Sequence, residues 1–186
     1  MSAPATVCVF CGSSPGTRPE FAIAARDLGT TMAARDIGLV YGGASVGLMG
    51  VVADAVQGAG GRATGVITES LAGHEIAHGE LNQLHVVRTM HERKALMAEL
   101  SNGFIMLPGG FGTYEEFMES VTWAQLGLHS KPCGILNVGG FYDHLLTFLG
   151  QAVEMGFIKR RQIDQIVVTA DVGELLDALG QPPDRA

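Results

Sequence analysis

The stretch from Phe104 to Phe117, FIMLPGGFGTYEEF, constrains the chain more than any other. Its first four residues, Phe104-Ile105-Met106-Leu107, are apolar without helical spacing, the pattern of a strand buried on both faces. Pro108 ends the run. Gly109, Gly110 and Gly112 permit a tight turn and let backbone amides approach a ligand with no Cβ in the way. Thr113 is then expected to open a helix with Glu115 and Glu116 in its first turn. A strand, a glycine turn and a helix N-terminus together suit an anion such as phosphate, because unpaired amides and the helix dipole converge there. The two acids have little use in a site that only holds phosphate. They suit a site that also does chemistry on the attached sugar. Thr113-Tyr114-Glu115-Glu116 also reads as a capping box, in which Glu116 merely reaches back to the Thr113 amide. Spacing leaves both readings open.

The rest of the chain alternates in the same way. Strands are expected at 7–11, 39–41, 64–68, 84–88, 104–107, 133–138 and 166–169, and helices at 19–36, 48–58, 90–100, 113–128, 141–155 and 172–179. In the first helix Phe21, Ala25, Leu28 and Met32 have core spacing, and Gly38 is expected to end it. Several strands lack polar alternation, so the fold class expected is α/β: a three-layer, doubly wound, mainly parallel, Rossmann-like sheet. With 186 residues, 47% of them hydrophobic, one domain spanning 1–186 is expected, its last few residues flexible. Ligands of such sheets sit beyond the carboxyl ends of the strands, where strand order reverses. The turns after the strands at 7, 39 and 104 should therefore line one crevice, which puts Ser13, Gly42 and Gly43 beside the ligand as well.

Several functions are disfavoured. The net charge of −7 leaves no basic stripe for nucleic acid. No apolar run approaches a membrane span and the N-terminus lacks the basic flank of a signal peptide, so a cytoplasmic protein is expected. The dinucleotide fingerprint GxGxxG is absent after the first strand, and no glycine-lysine pair followed by Ser or Thr exists for a triphosphate loop. Cys8 and Cys11 spell CxxC, but their odd separation on a strand points the thiols to opposite faces. His74-Glu75-Ile76-Ala77-His78 matches HExxH, yet Gly73 and Gly79 bracket it too closely for the helix a zinc site of that type needs. No metal and no cofactor are expected.

Arg93 lies in line with Leu96, Met97 and Leu100 on the apolar stripe of its helix, so its guanidinium is directed toward the sheet and needs an anionic partner. Glu115 and Glu116, opening the next helix, are the candidates. In PGGFGTYEE at 108–116 and MHERK at 90–94 the chain resembles the cytokinin riboside 5′-monophosphate phosphoribohydrolases, the lonely guy family, often labelled lysine decarboxylases. The family pattern PGGxGTxxE is met by Pro108, Gly109, Gly110, Gly112, Thr113 and Glu116, and its paired Arg-Lys by Arg93 and Lys94. FCGSS, YGGASVGLMG and TWAQLGLHSKPCGILN extend the resemblance over nearly the whole chain.

The resemblance implies hydrolysis of the N-glycosidic bond of AMP or an N6-substituted AMP to the free base and ribose 5-phosphate, with Arg93 and Glu116 catalytic. It also implies substrate contacts from Glu75, Lys94, the run Gly109, Gly110, Phe111, Gly112, Thr113, Tyr114, Glu115, and Thr122, in a homodimer. The chemistry fits the residues. Amides and helix dipole would hold the 5′-phosphate, and Glu116 would stabilise an oxocarbenium-like state and orient water. Glu115 would take the ribose hydroxyls, while Arg93 positions Glu116 and keeps it ionised. Two rivals stand beside this: a non-catalytic nucleotide or cofactor carrier on the same fold, and a pyridoxal-phosphate decarboxylase. The second needs a Schiff-base lysine, for which only Lys94, Lys131 and Lys159 exist.

Overall fold

The structure is a computed structural model and describes residues 6–72, 78 and 81–180. The HExxH segment apart from His78, and with it Glu75, lies outside the described residues, as do residues 181–186, on which the expectation of a flexible end falls. The seven strands are β1 (Thr6–Phe10), β2 (Gly38–Tyr41), β3 (Ala63–Thr68), β4 (Gln83–Val87), β5 (Gly103–Met106), β6 (Cys133–Leu136) and β7 (Ile166–Thr169). They form one sheet in the order β4-β3-β2-β1-β5-β6-β7, and every pairing is parallel. Strand order reverses between β1 and β5. The α/β doubly wound fold read from the sequence is the fold observed.

The helices are α1 (Pro19–Ala34), α2 (Gly47–Gly58), α3 (Glu69–Ala72), α4 (Met90–Glu99), α5 (Phe111–Gln125), α6 (Asp143–Glu154), α7 (Arg160–Ile163) and α8 (Val172–Leu179). The helical turns α3 and α7 carry too few residues for a 3.6-residue periodicity to be read. α1 ends at Ala34 rather than Asp36. The reversal is made by Asp36, at φ 55°, and not by Gly38, which begins β2. A short polar side chain tolerates that left-handed backbone, and the Ile37 amide donates to the Met32 carbonyl (2.9 Å) to close the helix.

Alternate residues of each strand fill the two faces of the sheet. Val7, Val9, Leu39, Tyr41 and Ile105 pack on one side with Phe21, Leu28 and Met32 of α1 and Val52 and Val56 of α2. Cys8, Phe10, Val40, Phe104 and Met106 pack on the other with Met97 of α4 and Phe117 of α5. Cys8 and Cys11 thus lie on opposite faces, and the described cysteines are buried and free. Burial pushes their thiols up, Cys133 to about 12, which removes the thiolate that redox or metal chemistry needs.

The largest correction concerns α5. Gly110 is its N-cap and Phe111 its first residue, so Thr113 sits buried inside the first turn and caps nothing. No acid lies in that turn. Glu115 and Glu116 belong to the second, and the capping box is absent. The Tyr114 amide already donates to the Gly110 carbonyl (3.1 Å), closing the helix before Thr113 could cap it.

No described helix is long and apolar enough to cross a membrane. Gly47 begins α2 at φ 59°, and a Cβ there would strike the Ser13 carbonyl. Gly47→Ala is expected to cost at least about 2 kcal/mol and lower Tm by about 4–8 °C in scanning calorimetry. Gly58→Ala, with nothing within 4 Å of the added methyl, should leave Tm unchanged or slightly raised.

Candidate active site

Three turns meet where strand order reverses. The Gly12 amide after β1 donates to the Pro108 carbonyl after β5 (3.1 Å), the Leu107 amide donates to the Phe10 carbonyl (2.9 Å), and the Leu48 amide of α2 donates to the Gly12 carbonyl (2.9 Å). The turn after β5 is also held from the other side, because the buried Tyr142 hydroxyl donates to the Leu107 carbonyl (2.7 Å). Gly109 is needed for close approach, since a Cβ there would run into the Thr113 side chain and the Gly12 amide. The three glycine turns are thus brought together at the carboxyl ends of the strands.

At the mouth of that crevice the N-terminus of α5 carries no side-chain cap. The amides of Phe111, Gly112 and Thr113 precede the first internal bond of the helix, so they are directed outward with the positive end of its dipole. Gly110 has open space around it, and the Phe111 side chain is 93% exposed. Tyr114 turns away to pack edge-on against Tyr142, ring centroids 6.0 Å apart.

Beneath the helix lies a buried ion pair. Arg93 of α4 and Glu116 of α5 are joined by Nη1 to Oε1 at 2.6 Å, with side chains 7% and 10% exposed. Arg93 also donates from Nε to the Val66 carbonyl of β3 (2.9 Å) and from Nη2 to the Gly42 carbonyl (3.4 Å). A Cβ on Gly42 would collide with that guanidinium, so the glycine after β2 makes room for the arginine. The anionic partner demanded by the sequence is Glu116. Burial pushes the Glu116 carboxyl above the ordinary carboxylate range, and the opposing Arg93 charge partly offsets this.

Lys94, next to Arg93 on α4, is paired as well. Its ammonium is held by Glu115 and, at 3.0 Å, by Glu119, one helical turn further on. Burial alone would lower its pKa, but the two carboxylates hold it above its ordinary value. Gly43 sits at φ 77° after β2, its carbonyl accepting the His78 amide (3.1 Å). Ser13 lies exposed after β1, its backbone against Gly47. Thr122 is not brought to the same spot: at 1.5 Å per residue it lies about 14 Å along α5 from Thr113, with its hydroxyl donating to the Met118 carbonyl (2.7 Å). A separate cleft of about 810 Å³ at the opposite ends of β6 and β7, lined by His129, Lys131, Gln162 and Ile166, contains none of these residues.

The described residues hold no cluster of three or more His, Cys, Asp or Glu side chains fit for a metal. Lys131, the second candidate for a Schiff base, donates to the Ala98 carbonyl at the end of α4 (2.5 Å), at the opposite end of the strands from the glycine turns.

The family described as possible lysine decarboxylase matches residues 49–179. Cytokinin riboside 5′-monophosphate phosphoribohydrolase LOG5 of Arabidopsis thaliana is 50% identical over 173 residues, covering 93% of this chain and 76% of the relative. A probable enzyme of the same name, LOG4 of Oryza sativa subsp. japonica, is 48% identical over 174 residues, covering 94% and 76%. The chain belongs to the lonely guy family. The fold of this lonely guy protein is shared more widely. A molybdenum cofactor binding protein from Rippkaea orientalis superposes with a TM-score of 0.72 at 19% identity, covering 95% and 96% of the two chains. The Moco carrier protein of Chlamydomonas reinhardtii gives 0.70 at 22%, covering 99% and 100%. At that identity the likeness is one of fold.

Two residues of this lonely guy site escaped the sequence reading. Glu119 carries a signal, since it lies four residues from Glu115 on one helix face. Tyr142 carries none, because it reaches the turn after β5 from a position 35 residues away, just before α6.

Removing one partner of the buried pair strands the other. Arg93→Ala is expected to cost about 3–5 kcal/mol, read from the urea midpoint. Arg93→Met combined with Glu116→Leu should recover most of that loss. A double variant no more stable than Arg93→Ala would show that the loss does not come from the Glu116 carboxylate left buried without its partner.

Proposed function

We propose that the protein hydrolyses the N-glycosidic bond of AMP or an N6-substituted AMP, releasing the free base and ribose 5-phosphate. The observation that carries the reading is the buried Arg93–Glu116 pair set beside an uncapped helix N-terminus in a glycine-lined crevice. The similarity to proteins named cytokinin riboside 5′-monophosphate phosphoribohydrolase, at up to 50% identity, supplies the reaction class.

In this reading the amides of Phe111, Gly112 and Thr113 and the dipole of α5 take the 5′-phosphate, with Gly109 and Gly110 keeping the approach open. The turns at Ser13, Gly42 and Gly43 close the other side of the pocket, and Glu115 takes the ribose hydroxyls. As the C1′–N9 bond breaks, positive charge develops on the ribose ring, and the Glu116 carboxylate stabilises it and accepts a proton from the attacking water. Its raised pKa makes it a better base than an ordinary glutamate. Arg93 positions that carboxylate, its own orientation fixed by the Val66 and Gly42 carbonyls. Lys94 acts through the Glu115 carboxylate rather than on the nucleotide, and Tyr114, packed on Tyr142, supports the turn; Glu75 and Thr122 complete the substrate contacts away from the phosphate, the Thr122 oxygen still able to accept a hydrogen bond after donating its proton to the Met118 carbonyl. The protein works as a homodimer in the cytoplasm, without metal or cofactor.

Glu116→Gln is the direct test. Base release from AMP, followed by chromatography, should fall at least about 100-fold at a temperature where circular dichroism shows the variant folded, although Tm falls because the buried Arg93 charge is left unpaired. Unchanged turnover would reduce Glu116 to a structural partner of Arg93. AMP-induced thermal stabilisation of the wild type without any free adenine would favour the carrier. The acid side of the kcat/KM profile should also reflect Glu116. Activity should rise with pH through an apparent pKa above about 4.3, the ordinary glutamate value. A limb at or below that value would contradict a buried carboxylate as the base.

A further inference from the structure

Lys94, Glu115 and Glu119 form a second ion cluster beside the Arg93–Glu116 pair, and its geometry is asymmetric. The Lys94 side chain is 10% exposed, Glu119 26% and Glu115 54%. Glu115 and Glu119 are one turn apart on the same face of α5, with the ammonium of α4 shared between them. One ammonium serving two carboxylates holds each less firmly than it would hold one alone. The outer carboxylate, Glu115, can therefore leave for another partner while the inner one stays. If Glu119 were absent, that departure would leave the Lys94 ammonium, whose side chain is mostly covered, without a partner, and so would oppose it.

We propose that Glu119 is a positioning residue, keeping the Lys94 ammonium paired while the Glu115 carboxylate turns outward to the ribose hydroxyls of the nucleotide. The proposal rests on the reading of Glu115 as the ribose contact. It separates the cluster into a fixed pair, Lys94 with Glu119, and an exchangeable arm, Glu115. The Arg93–Glu116 pair, held by its own carbonyl partners, takes no part in the exchange.

Glu119→Gln keeps the shape of the side chain and removes its charge. Lys94 is then left with Glu115 alone, so the ribose must compete with an unshared ion pair. The KM for AMP and its Kd by titration calorimetry should both rise about three- to tenfold. kcat should stay within about twofold, because Glu116 and Arg93 are untouched. In a Lys94→Met background there is no ammonium to hold, and adding Glu119→Gln should leave Kd unchanged. A merely structural role would instead lower Tm and the active fraction with KM and Kd unmoved, and would overturn the proposal. So would an equal rise in Kd with and without Lys94, which would make Glu119 a direct contact. If wild-type protein releases no base from AMP but the Lys94-dependent rise in Kd appears, the positioning role stands and the hydrolase reading falls.

Discussion

The site depends on one buried salt bridge. A guanidinium and a carboxylate that are both nearly inaccessible to water cost several kcal/mol each to desolvate, and their mutual attraction returns that only when the geometry is good and the other donors are used. Arg93 meets the condition through Glu116, the Val66 carbonyl and the Gly42 carbonyl. Those partners come from α5, β3 and the turn after β2, so the arginine ties three elements to α4. A pair of this kind is weak evidence of stability for its own sake, since apolar side chains would fill the space at less cost. Its place beside an uncapped helix N-terminus gives it a chemical use. There, burial raises the affinity of Glu116 for protons while the adjacent charge keeps the carboxylate oriented.

The topology explains why these groups are together. In a sheet ordered β4-β3-β2-β1-β5-β6-β7 the chain reverses direction between β1 and β5. The turns that follow them diverge onto opposite faces and leave a crevice at their carboxyl ends. Backbone bonds between Gly12 and Pro108 and between Phe10 and Leu107, with the Tyr142 hydroxyl on Leu107, fix the floor of that crevice. The start of α5 is thus referred to the sheet largely through backbone bonds. The far cleft at the opposite edge shares no element end with this arrangement, and its size does not make it the site.

Much of the fold was legible because strands buried on both faces write themselves as short apolar runs, as at Phe104 to Leu107, and because helices with one buried stripe write a 3.6-residue spacing, as at Phe21, Ala25, Leu28 and Met32. Arg93 was legible for the same reason: a charge on an apolar stripe requires a partner. What sequence could not decide was which of two carboxylates that partner was. The N-cap of α5 lies three residues earlier than the Thr113 signal suggests, because Gly110 closes the first turn through its carbonyl, and this moves Glu116 from a capping position to a buried one. The Lys94 cluster was half hidden, since an exposed-looking lysine gains its partners only when two helices meet. Contacts made across the fold, such as Tyr142 on Leu107, leave no local trace.

The central claim is that a monophosphate seated on the amides of Phe111 to Thr113 places its anomeric carbon at the Glu116 side chain. A crystal structure of the Glu116→Gln protein with AMP tests it most directly. Phosphate oxygens within about 3 Å of those amides, with C1′ facing the residue 116 side chain and the ribose hydroxyls toward Glu115, is the predicted result. A phosphate bound in another cleft, or a ribose turned away from residue 116, would contradict it.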